Sequence, residues 1–400
     1  MVAGAWLIGR EDARRSRQAV DGERPRAVLL AVHRSDDRAP AGGRPLPVVG
    51  ATGSPLSLDE LERLADTDGI DVVDRVVQER GRPDPATYVG AGKADELGEV
   101  VRRTGADVVV ADEELSPAQA RNLEERAGVR VVDRTALILD IFREHARTAE
   151  GRTQVELAQI AYQLPRLLGH GREMSRVGGG RVAGGAGIGV RGPGEMRLEV
   201  ERRRLRSRAG RLRRGVGQLA ERRATTRRRR ARNEVPGVAL TGYTNAGKSA
   251  LLNRLTGADV AVEGVLFATL DPTVRRLVVD GTTMTVADTV GFVRHLPHQL
   301  VDAFRSTLEE VAESDLAVHV VDASAPDAID QLTTVRGVLA EVGAGDVPEL
   351  LVLNKVDVTP ADRLEGLQRA YPDALAVSAL TGQGVPGLRQ ELAARLATAR

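Results

Sequence analysis

The sequence predicts an α/β protein with two separate α/β domains joined by an antiparallel helical hairpin. Short apolar runs alternate with amphipathic helical segments in residues 26–150 and again from residue 234 onward, an order typical of parallel sheets. Between them, apolar residues recur at helical spacing over 151–169 and at intervals of seven over 196–232. The predicted domain boundaries are 1–150, 151–232 and 233–400.

The N-terminal domain is predicted from the apolar run RAVLLAVH at 26–33, which indicates a buried strand. A Pro/Gly-rich loop over 38–55 follows it. The further expected strands lie at 71–78, 106–112 and 129–134, and the expected helices at 57–66, 93–104 and 116–127. Strands that alternate with helices in this way favour a parallel sheet.

The hairpin is predicted from two leucine stripes. The first consists of Leu157, Ile160, Leu164 and Leu167, and the second of Leu198, Leu205, Leu212 and Leu219 with Ala209 and Val216 between them. The second stripe is typical of a coiled-coil seam, although two separate amphipathic helices fit the periodicity equally well. The connection, 177–195, contains nine glycines within 177–194, which preclude a stable helix there.

Charge is distributed unevenly along the chain. The net charge is only +1, but residues 197–232 contain 16 Arg against 3 Glu. A solvated coiled coil normally mixes charges of both signs, so this stretch predicts binding to nucleic acid, in the first place to RNA. The chain has only three lysines, Lys93, Lys248 and Lys355, and two of them lie in the motifs described next.

Composition also excludes several classes of protein. The chain has no cysteine, which excludes disulfides, thiolate zinc sites and cysteine nucleophiles. No apolar run approaches the ~20 residues that span a bilayer, and the N-terminus does not resemble a signal peptide. We therefore expect a cytoplasmic protein with no transmembrane segment; peripheral contact with a membrane stays open. We also expect a monomer that makes no stable contact with DNA.

A phosphate-binding loop is predicted at 242–249, GYTNAGKS, between an expected strand and an expected helix. Gly242 and Gly247 would let backbone N–H groups approach the phosphates of a nucleotide. Lys248 would place its charge between the β- and γ-phosphates, and the Ser249 hydroxyl would coordinate Mg²⁺.

Guanine specificity is predicted from NKVD at 354–357. Asp357 can accept two hydrogen bonds from guanine, whereas adenine would leave a buried carboxylate unpaired. Asn354 and Lys355 would support the base and the phosphate loop. After the next expected strand, the backbone N–H groups of SAL, 378–380, could reach the guanine carbonyl.

Two further segments match the order of a GTP switch. In DTVG, 288–291, Asp288 would hold Mg²⁺ through water and the Gly291 N–H would touch the γ-phosphate. In FATLDPT, 267–273, Thr269 is the first choice for a second Mg²⁺ ligand and Thr273 the alternative.

The residue after DTVG is Phe292, which cannot hold the attacking water through its side chain. A buried, structural Phe is the default interpretation. We then expect slow intrinsic hydrolysis, with the water oriented by backbone groups, by another switch residue or by a partner. Surface positions are expected for Arg294 and His295, and YVGAGK at 88–93 is interpreted as a tight turn before a helix.

With these motifs in place, the chain resembles the HflX family of translation-associated GTPases over nearly its whole length. The segments that carry the resemblance are YVGAGKADEL, ADEELSPAQARNLE, VVDRTALILDIFREHARTAEGRTQVELAQ, GIGVRGPGE, GYTNAGKS, LFATLDPT, DTVGF and NKVD. The resemblance implies an HflX-type N-terminal domain with a helical hairpin and a C-terminal Ras-like, doubly wound P-loop G domain. Val190 and Met196 depart from the small or polar residues common in the family's loop.

The resemblance also implies function and site residues. The family hydrolyses GTP, binds the large ribosomal subunit and its rRNA, and has members implicated in ribosome splitting. The resemblance implies that GTP or GDP, with Mg²⁺, binds at the positions that match the family's motifs. These are Gly242, Tyr243, Thr244, Asn245, Ala246, Gly247, Lys248, Ser249, Phe267, Ala268, Thr269, Leu270, Asp271, Asp288, Thr289, Val290, Gly291, Asn354, Lys355, Val356, Asp357, Ser378, Ala379 and Leu380. Of these, Lys248, Thr269 and Gly291 are the expected catalytic residues, and Ser249 and Thr269 the expected metal ligands.

Two alternatives stay open on the sequence. A signalling or scaffold GTPase would bind protein partners through its coiled coil. A metabolic ATP-dependent enzyme is compatible with the sequence only if Asp357 does not take part in recognising the base.

Overall fold

A computed structural model describes residues 24–34, 54–177, 193–232, 235–257, 266–267, 273–294, 300–301, 308 and 310–398. Chain contacts divide the molecule into two compact units. The described residues of 24–143 and 153–217 belong to the first unit, and those of 144–152 and 218–398 to the second.

The first unit is built on a four-stranded parallel sheet. Its strands are β1 (Arg26–His33), β2 (Asp71–Glu79), β3 (Val108–Ala111) and β4 (Arg130–Asp133), in the spatial order β2-β1-β3-β4. The helices between them are α1 (Pro55–Thr67), α2 (Ala91–Thr104) and α3 (Pro117–Ala127). This arrangement confirms the predicted parallel sheet and the predicted order of its elements.

Local sequence explains where these helices begin and end. Ser116 caps α3 reciprocally with Gln119, each side chain bonding the other's backbone N–H, and Gly128 ends the helix in a left-handed conformation. At α1 the cap is one-sided: the Ser54 side chain accepts a hydrogen bond from the Ser57 N–H. Both faces of the sheet are covered along β1, which is why this strand is apolar and buried from Ala27 to Val32.

A helix not predicted from the sequence, α4 (Arg134–His145), follows β4 directly. Arg134, expected at the end of a strand, instead begins this helix and is almost fully buried. Its guanidinium pairs with Glu60 at 2.6 Å and with Asp112 at 2.8 Å. The charge is tolerated inside the protein because both carboxylates and the Ser57 carbonyl satisfy it.

Two long helices follow, α5 (Ala149–Val177) and α6 (Pro193–Arg232). Tyr162 and Arg166 of α5 both donate to the buried carboxylate of Asp133, at 2.9 and 2.8 Å, which fixes the helix against the end of β4. Glu156 of α5 and Arg208 of α6 form an ion pair. The predicted antiparallel hairpin stays a prediction, and most of its Gly-rich connection lies outside the described residues.

Burial along α6 follows the predicted stripe. Ala209 is buried, and Leu198, Leu205, Leu212, Val216 and Leu219 are half-buried, whereas most of the described arginines between them are exposed. The helix therefore has one apolar seam and a broad basic surface.

The second unit contains a six-stranded sheet in the order β10-β9-β8-β5-β7-β6. Its strands are β5 (Gly237–Gly242), β6 (Thr273–Val279), β7 (Thr282–Asp288), β8 (Leu316–Asp322), β9 (Glu349–Asn354) and β10 (Leu375–Ala376). The helices are α7 (Lys248–Thr256), α8 (Ala328–Glu341), α9 (Ala361–Ala370) and α10 (Val385–Thr398).

Only β6 runs antiparallel to its neighbour, and it pairs with β7 through the predicted Asp-Gly hairpin. Asp280 and Gly281 both have positive φ, 47° and 80°, as this kind of turn requires. The doubly wound domain is thus confirmed in its mixed α/β topology. No helix in the described part of the chain is both long and apolar enough to cross a membrane.

Candidate guanine-nucleotide site

The phosphate loop lies where β5 ends and α7 begins, at the carboxyl edge of the second sheet. Gly242 has φ 146°, and a Cβ there would lie 2.2 Å from the Val320 carbonyl oxygen. Gly247 has φ 92°, and its Cβ would lie 2.3 Å from Asn354 Nδ2. Both positions therefore need glycine for close approach as well as for backbone conformation.

Lys248 is buried at the start of α7. Its ammonium donates to the carbonyls of Gly242 at 3.1 Å and Tyr243 at 2.9 Å, so it lies inside the loop. Burial lowers the pKa of Lys248 to about 8, although the Asp288 carboxylate works in the opposite direction. A phosphate beside this ammonium would restore its charge.

Oxygen ligands suited to Mg²⁺ meet beside this lysine. The Ser249 hydroxyl donates to Asp288 Oδ2 at 2.6 Å, which joins the first turn of α7 to the end of β7. Hydroxyl and carboxylate oxygens are the ligands that Mg²⁺ prefers, so these residues fit the expected metal. Within the described residues, no group of three or more His, Cys, Asp or Glu forms a separate metal site.

The DTVG segment lies directly against the phosphate loop. A Cβ on Gly291 would lie 2.8 Å from Thr244 Cγ2 and 3.1 Å from Lys248 Nζ. Glycine at this place therefore allows the backbone to approach the lysine. The Thr289 side chain points inward and donates to the Leu240 carbonyl at 2.7 Å.

Phe292 is a buried core residue, which agrees with the default interpretation of its sequence. Its backbone also forms a bridge with the phosphate loop. The Phe292 N–H donates to the Gly242 carbonyl at 3.2 Å, and the Thr244 N–H donates to the Phe292 carbonyl at 2.7 Å. The backbone after DTVG is thus hydrogen-bonded to the loop that would hold the phosphates.

The expected surface position of Arg294 is wrong. Its guanidinium is buried and pairs with Asp327, and the backbone N–H of Arg294 donates to the Tyr243 phenol oxygen at 2.6 Å. A charge in this place is tolerated because a carboxylate compensates it. His295 lies outside the described residues.

The NKVD segment connects the base region to the phosphate loop. Asn354 Nδ2 donates to the Ala246 carbonyl at 2.8 Å. The Lys355 ammonium does not reach the phosphate loop and pairs instead with Asp322 at 2.6 Å. Asp357 is exposed, so its carboxylate is accessible to a base and becomes desolvated only when a base covers it.

Two of the three backbone N–H groups of SAL, which we expected to reach the guanine carbonyl, form hydrogen bonds within the protein instead. The Ser378 N–H donates to the Gln383 carbonyl at 2.9 Å, and the Ala379 N–H to Asn354 Oδ1 at 3.0 Å. Both groups are satisfied inside the protein, where we expected them to face guanine. Leu380 is largely exposed.

The expected switch segment is described only in part. Ala268, Thr269, Leu270 and Asp271 lie outside the described residues, so the role of Thr269 stays a prediction. Phe267 is buried with φ 60°. Thr273 is the first residue of β6 and pairs with Asp288 across the sheet. The remaining expected site residues divide into buried Tyr243, Thr244, Ala246, Val290 and Val356, and exposed Asn245.

A buried polar group behind the phosphate loop was not predicted. His319, in the middle of apolar β8, places Nδ1 2.7 Å from Glu349, which also accepts from Arg336. Burial lowers the pKa of His319, so the ring is neutral near pH 7 and donates Nδ1–H. Burial raises the pKa of Glu349, but these bonds outweigh it and hold that pKa at about 2. The only signal in the sequence was a histidine inside an apolar run.

A strand, glycine loop and helix, with DTVG, NKVD and SAL at the same sheet edge, define a P-loop nucleotide-binding protein of the GTPase class. The family described as "50S ribosome-binding GTPase" matches residues 237–355. Families described as "GTP-binding GTPase N-terminal" and "GTP-binding GTPase Middle Region" match 56–143 and 145–230.

Similar proteins extend this result along the chain. GTPase HflX of Caldanaerobacter subterraneus subsp. tengcongensis is 49% identical over 76% of this chain and 69% of its own length. GTPase HflX of Lacrimispora saccharolytica is 44% identical over 91% of this chain and 81% of its own length. The chain belongs to the HflX family of GTPases, and it is a GTP-binding protein that hydrolyses GTP.

A solved GTP-binding protein from Sulfolobus solfataricus in complex with GDP is 22% identical, with a TM-score of 0.44. The likeness covers 94% of this chain and 100% of that protein. A likeness of this degree carries no conclusion about function.

Proposed function

We propose that this GTPase acts on the large ribosomal subunit, where its basic helix α6 and the Gly-rich segment 177–195 contact rRNA and where hydrolysis is stimulated. The observation that carries the proposal is the coincidence, in one chain, of a G domain of the 50S ribosome-binding type with 16 Arg against 3 Glu over 197–232. The role would lie in translation, in ribosome splitting or rescue, or in ribosome biogenesis. Family membership gives no support to the signalling or scaffold alternative.

The proposed nucleotide site consists of the residues expected from the sequence at 242–249, 267–271, 288–291, 354–357 and 378–380. Backbone N–H groups of the phosphate loop would hold the phosphates, together with Lys248. Ser249 would hold Mg²⁺ directly and Asp288 would hold it through water, with Thr269 as the second hydroxyl; the ion would neutralise charge on the phosphates. Asp357 would select guanine.

Slow turnover without a partner follows from Phe292. Its side chain is buried in the core, so it does not reach toward a water at the γ-phosphate. Gly291, whose backbone lies against Lys248, is the proposed contact to the γ-phosphate. We infer that a group on the ribosome, or a rearranged switch residue, orients the water. Such completion of a GTPase site raises the rate by up to several orders of magnitude.

The proposed domains are 1–150, 151–232 and 233–400, with the hairpin as the RNA-binding arm. Exposed arginines of α6 would release counterions from RNA, so affinity should fall steeply with salt. We further propose a cytoplasmic monomer that makes no stable contact with DNA.

The test measures GTP turnover and binding with purified large subunits across a salt series. Turnover should rise strongly with subunits, and the affinity should fall as salt rises. A triple variant, Arg203→Gln, Arg206→Gln and Arg213→Gln, neutralises three exposed positions of α6. It should reduce the slope of log affinity against log salt by about 2–3, at about 0.7–0.9 for each of the three phosphates that are no longer neutralised.

The matched control neutralises three exposed arginines elsewhere, Arg63→Gln, Arg102→Gln and Arg369→Gln. It changes the net charge by the same amount and should leave the slope unchanged. Equal turnover with and without subunits, or equal slopes in both triple variants, would refute the proposal.

A further inference from the structure

The loop that would face the guanine carbonyl, 378–380, is tied to the phosphate-loop helix by Arg254 of α7. Arg254 Nε donates to the Ala379 carbonyl at 3.1 Å, and its Nη2 donates to the Leu380 carbonyl. A guanidinium presents its donors in a rigid plane, so two bonds to neighbouring carbonyls fix the orientation of those peptides.

The donors of this loop are mostly used inside the protein. The N–H groups of Ser378 and Ala379 are satisfied as described, and the Thr381 N–H donates to Ser378 Oγ at 3.0 Å. Within the part of the chain that the structure describes, the Leu380 N–H has no acceptor. Among the backbone N–H groups of 378–381, it is therefore the one that stays available to a ligand.

The direction of that donor follows from peptide geometry. The Ala379 carbonyl and the Leu380 N–H belong to the same peptide, which is trans, as are all described peptides. In a trans peptide these two bonds point in opposite directions. Because Arg254 holds the carbonyl toward α7, the N–H points away from α7.

We propose that Arg254 is a positioning residue for base specificity: it orients the Ala379–Leu380 peptide so that the Leu380 N–H donates to the ring carbonyl of guanine. Asp357 would recognise the N–H edge of the same base. Adenine has an amino group in place of the carbonyl, so a donor would meet a donor there. The inference rests on the proposed guanine site, and Arg254 acts through the loop without touching the nucleotide.

A merely structural role for Arg254 is the competing interpretation, and the chain offers a matched control for it. Arg389 of α10 also donates to two carbonyls, those of Leu255 at 2.7 Å and Val278 at 3.1 Å. These bonds brace the same domain without involving the 378–380 loop. Arg389→Ala therefore removes a similar pair of bonds and leaves the base region intact.

The experiment measures the Kd of the full chain for GDP and for 2-aminopurine riboside 5′-diphosphate, which keeps the exocyclic amine and lacks both the ring carbonyl and the neighbouring ring N–H. Arg254→Ala should raise the Kd for GDP about tenfold and change the Kd for the analogue less than about twofold. Arg389→Ala should leave both values within about twofold of the parent. Arg254→Lys, which keeps the charge but replaces the planar fork with a single ammonium, should give an intermediate Kd for GDP. It carries the test if Arg254→Ala does not fold.

Two outcomes would overturn the inference. One is an unchanged Kd for GDP in the Arg254 variants. The other is an equal loss of affinity for both nucleotides, which would mean that the loop was only destabilised. A parent chain that binds ADP as tightly as GDP would instead refute the proposed guanine site, before any variant is compared.

Discussion

Lys248 shows how burial prepares a side chain for phosphate. The ammonium is enclosed by the loop's own carbonyls, and burial brings its pKa down to about 8. An ammonium that is only partly protonated at pH 8 gains charge when a phosphate arrives. Nucleotide binding and proton uptake are therefore linked at this residue.

We expect the affinity for GDP to fall as pH rises through about 8, because the deprotonated amine no longer attracts the phosphates. Between pH 7 and 9 the loss should be about tenfold, as a single group of this pKa dictates. Fluorescence titration with a labelled GDP at constant ionic strength measures it. Lys248→Arg stays charged over this range. Its pH profile therefore shows the part of the pH dependence that does not come from Lys248, including the titration of guanine itself. Equal pH profiles for the two proteins would contradict the linkage.

Gly242 is constrained by contact as well as by conformation. Gly242→Ala should lower the free energy of unfolding by more than about 3 kcal/mol, because the new Cβ would overlap the Val320 carbonyl between two central strands. Gly257→Ala is the control: its φ is 68°, but a Cβ there meets nothing within 4 Å. It should cost about 1–2 kcal/mol. Urea unfolding compares the two, and similar losses would show that the close contact is unimportant.

Several residues could not be located from one sequence, because their partners are distant along the chain. Arg294 looks like a surface residue until Asp327, 33 positions away, is brought beside it. Arg134 is buried only because Glu60 and Asp112 surround it. By contrast, Gly242, Lys248 and Ser249 could be placed at the phosphate-binding junction of a strand and a helix from spacing alone, since that strand and helix are local features.

Strands and helices were predictable where the local pattern was strong. The apolar run of β1 and the Asp-Gly turn between β6 and β7 each determine their own structure. Helix α4 was missed because most of its residues are buried, so no polar face marks its period. The seam of α6 was visible because Leu198, Leu205 and Leu212 repeat every seven residues.

The packing of β8, β9 and α8 is held together by Glu349, which joins His319 to Arg336. Its folded pKa of about 2 lies below the ordinary value of 4.5, so its ionised form stabilises the fold. That contribution is fully present above pH 4.5 and is lost as pH falls toward 2.

Glu349→Gln should therefore reduce stability near pH 7 by about 1–2 kcal/mol, after allowance for solvent screening. The variant's stability should also fall less steeply than the parent's between pH 4.5 and 2. Denaturant unfolding at a series of pH values measures both effects. Glu365→Gln, at an exposed position of α9, should behave like the parent. Parallel curves for parent and Glu349→Gln would exclude this carboxylate as the cause.

The molecule divides its tasks between two compact units, each with its own core. The core clusters of the second sheet lie entirely within residues 238–396. The basic surface of α6 belongs largely to the first unit. The nucleotide site and most of the proposed RNA-binding arm are thus built from separate parts of the chain.

A fragment of residues 233–400 should fold alone and bind GDP with a Kd within about threefold of the full chain, because it keeps both core clusters and the whole candidate site. Its GTP turnover should not respond to large ribosomal subunits, since the arm is missing. Titration and turnover assays on both proteins test this. Stimulation of the fragment equal to that of the full chain would place the ribosomal contact in the G domain.

A parallel bridge between Tyr243 and Phe292 continues the pairing of β5 and β7 beyond the ends of these strands, beside the proposed γ-phosphate contact. Whatever displaces the backbone of Phe292 must either break two hydrogen bonds or pull residues 242–244 along with it. A macromolecule that binds the chain after Phe292 would thereby displace residues 242–244 of the phosphate loop without contacting them. The rate at which the nucleotide product leaves would then depend on whether the macromolecule is bound, and the coupling would run through a few ångströms of main chain.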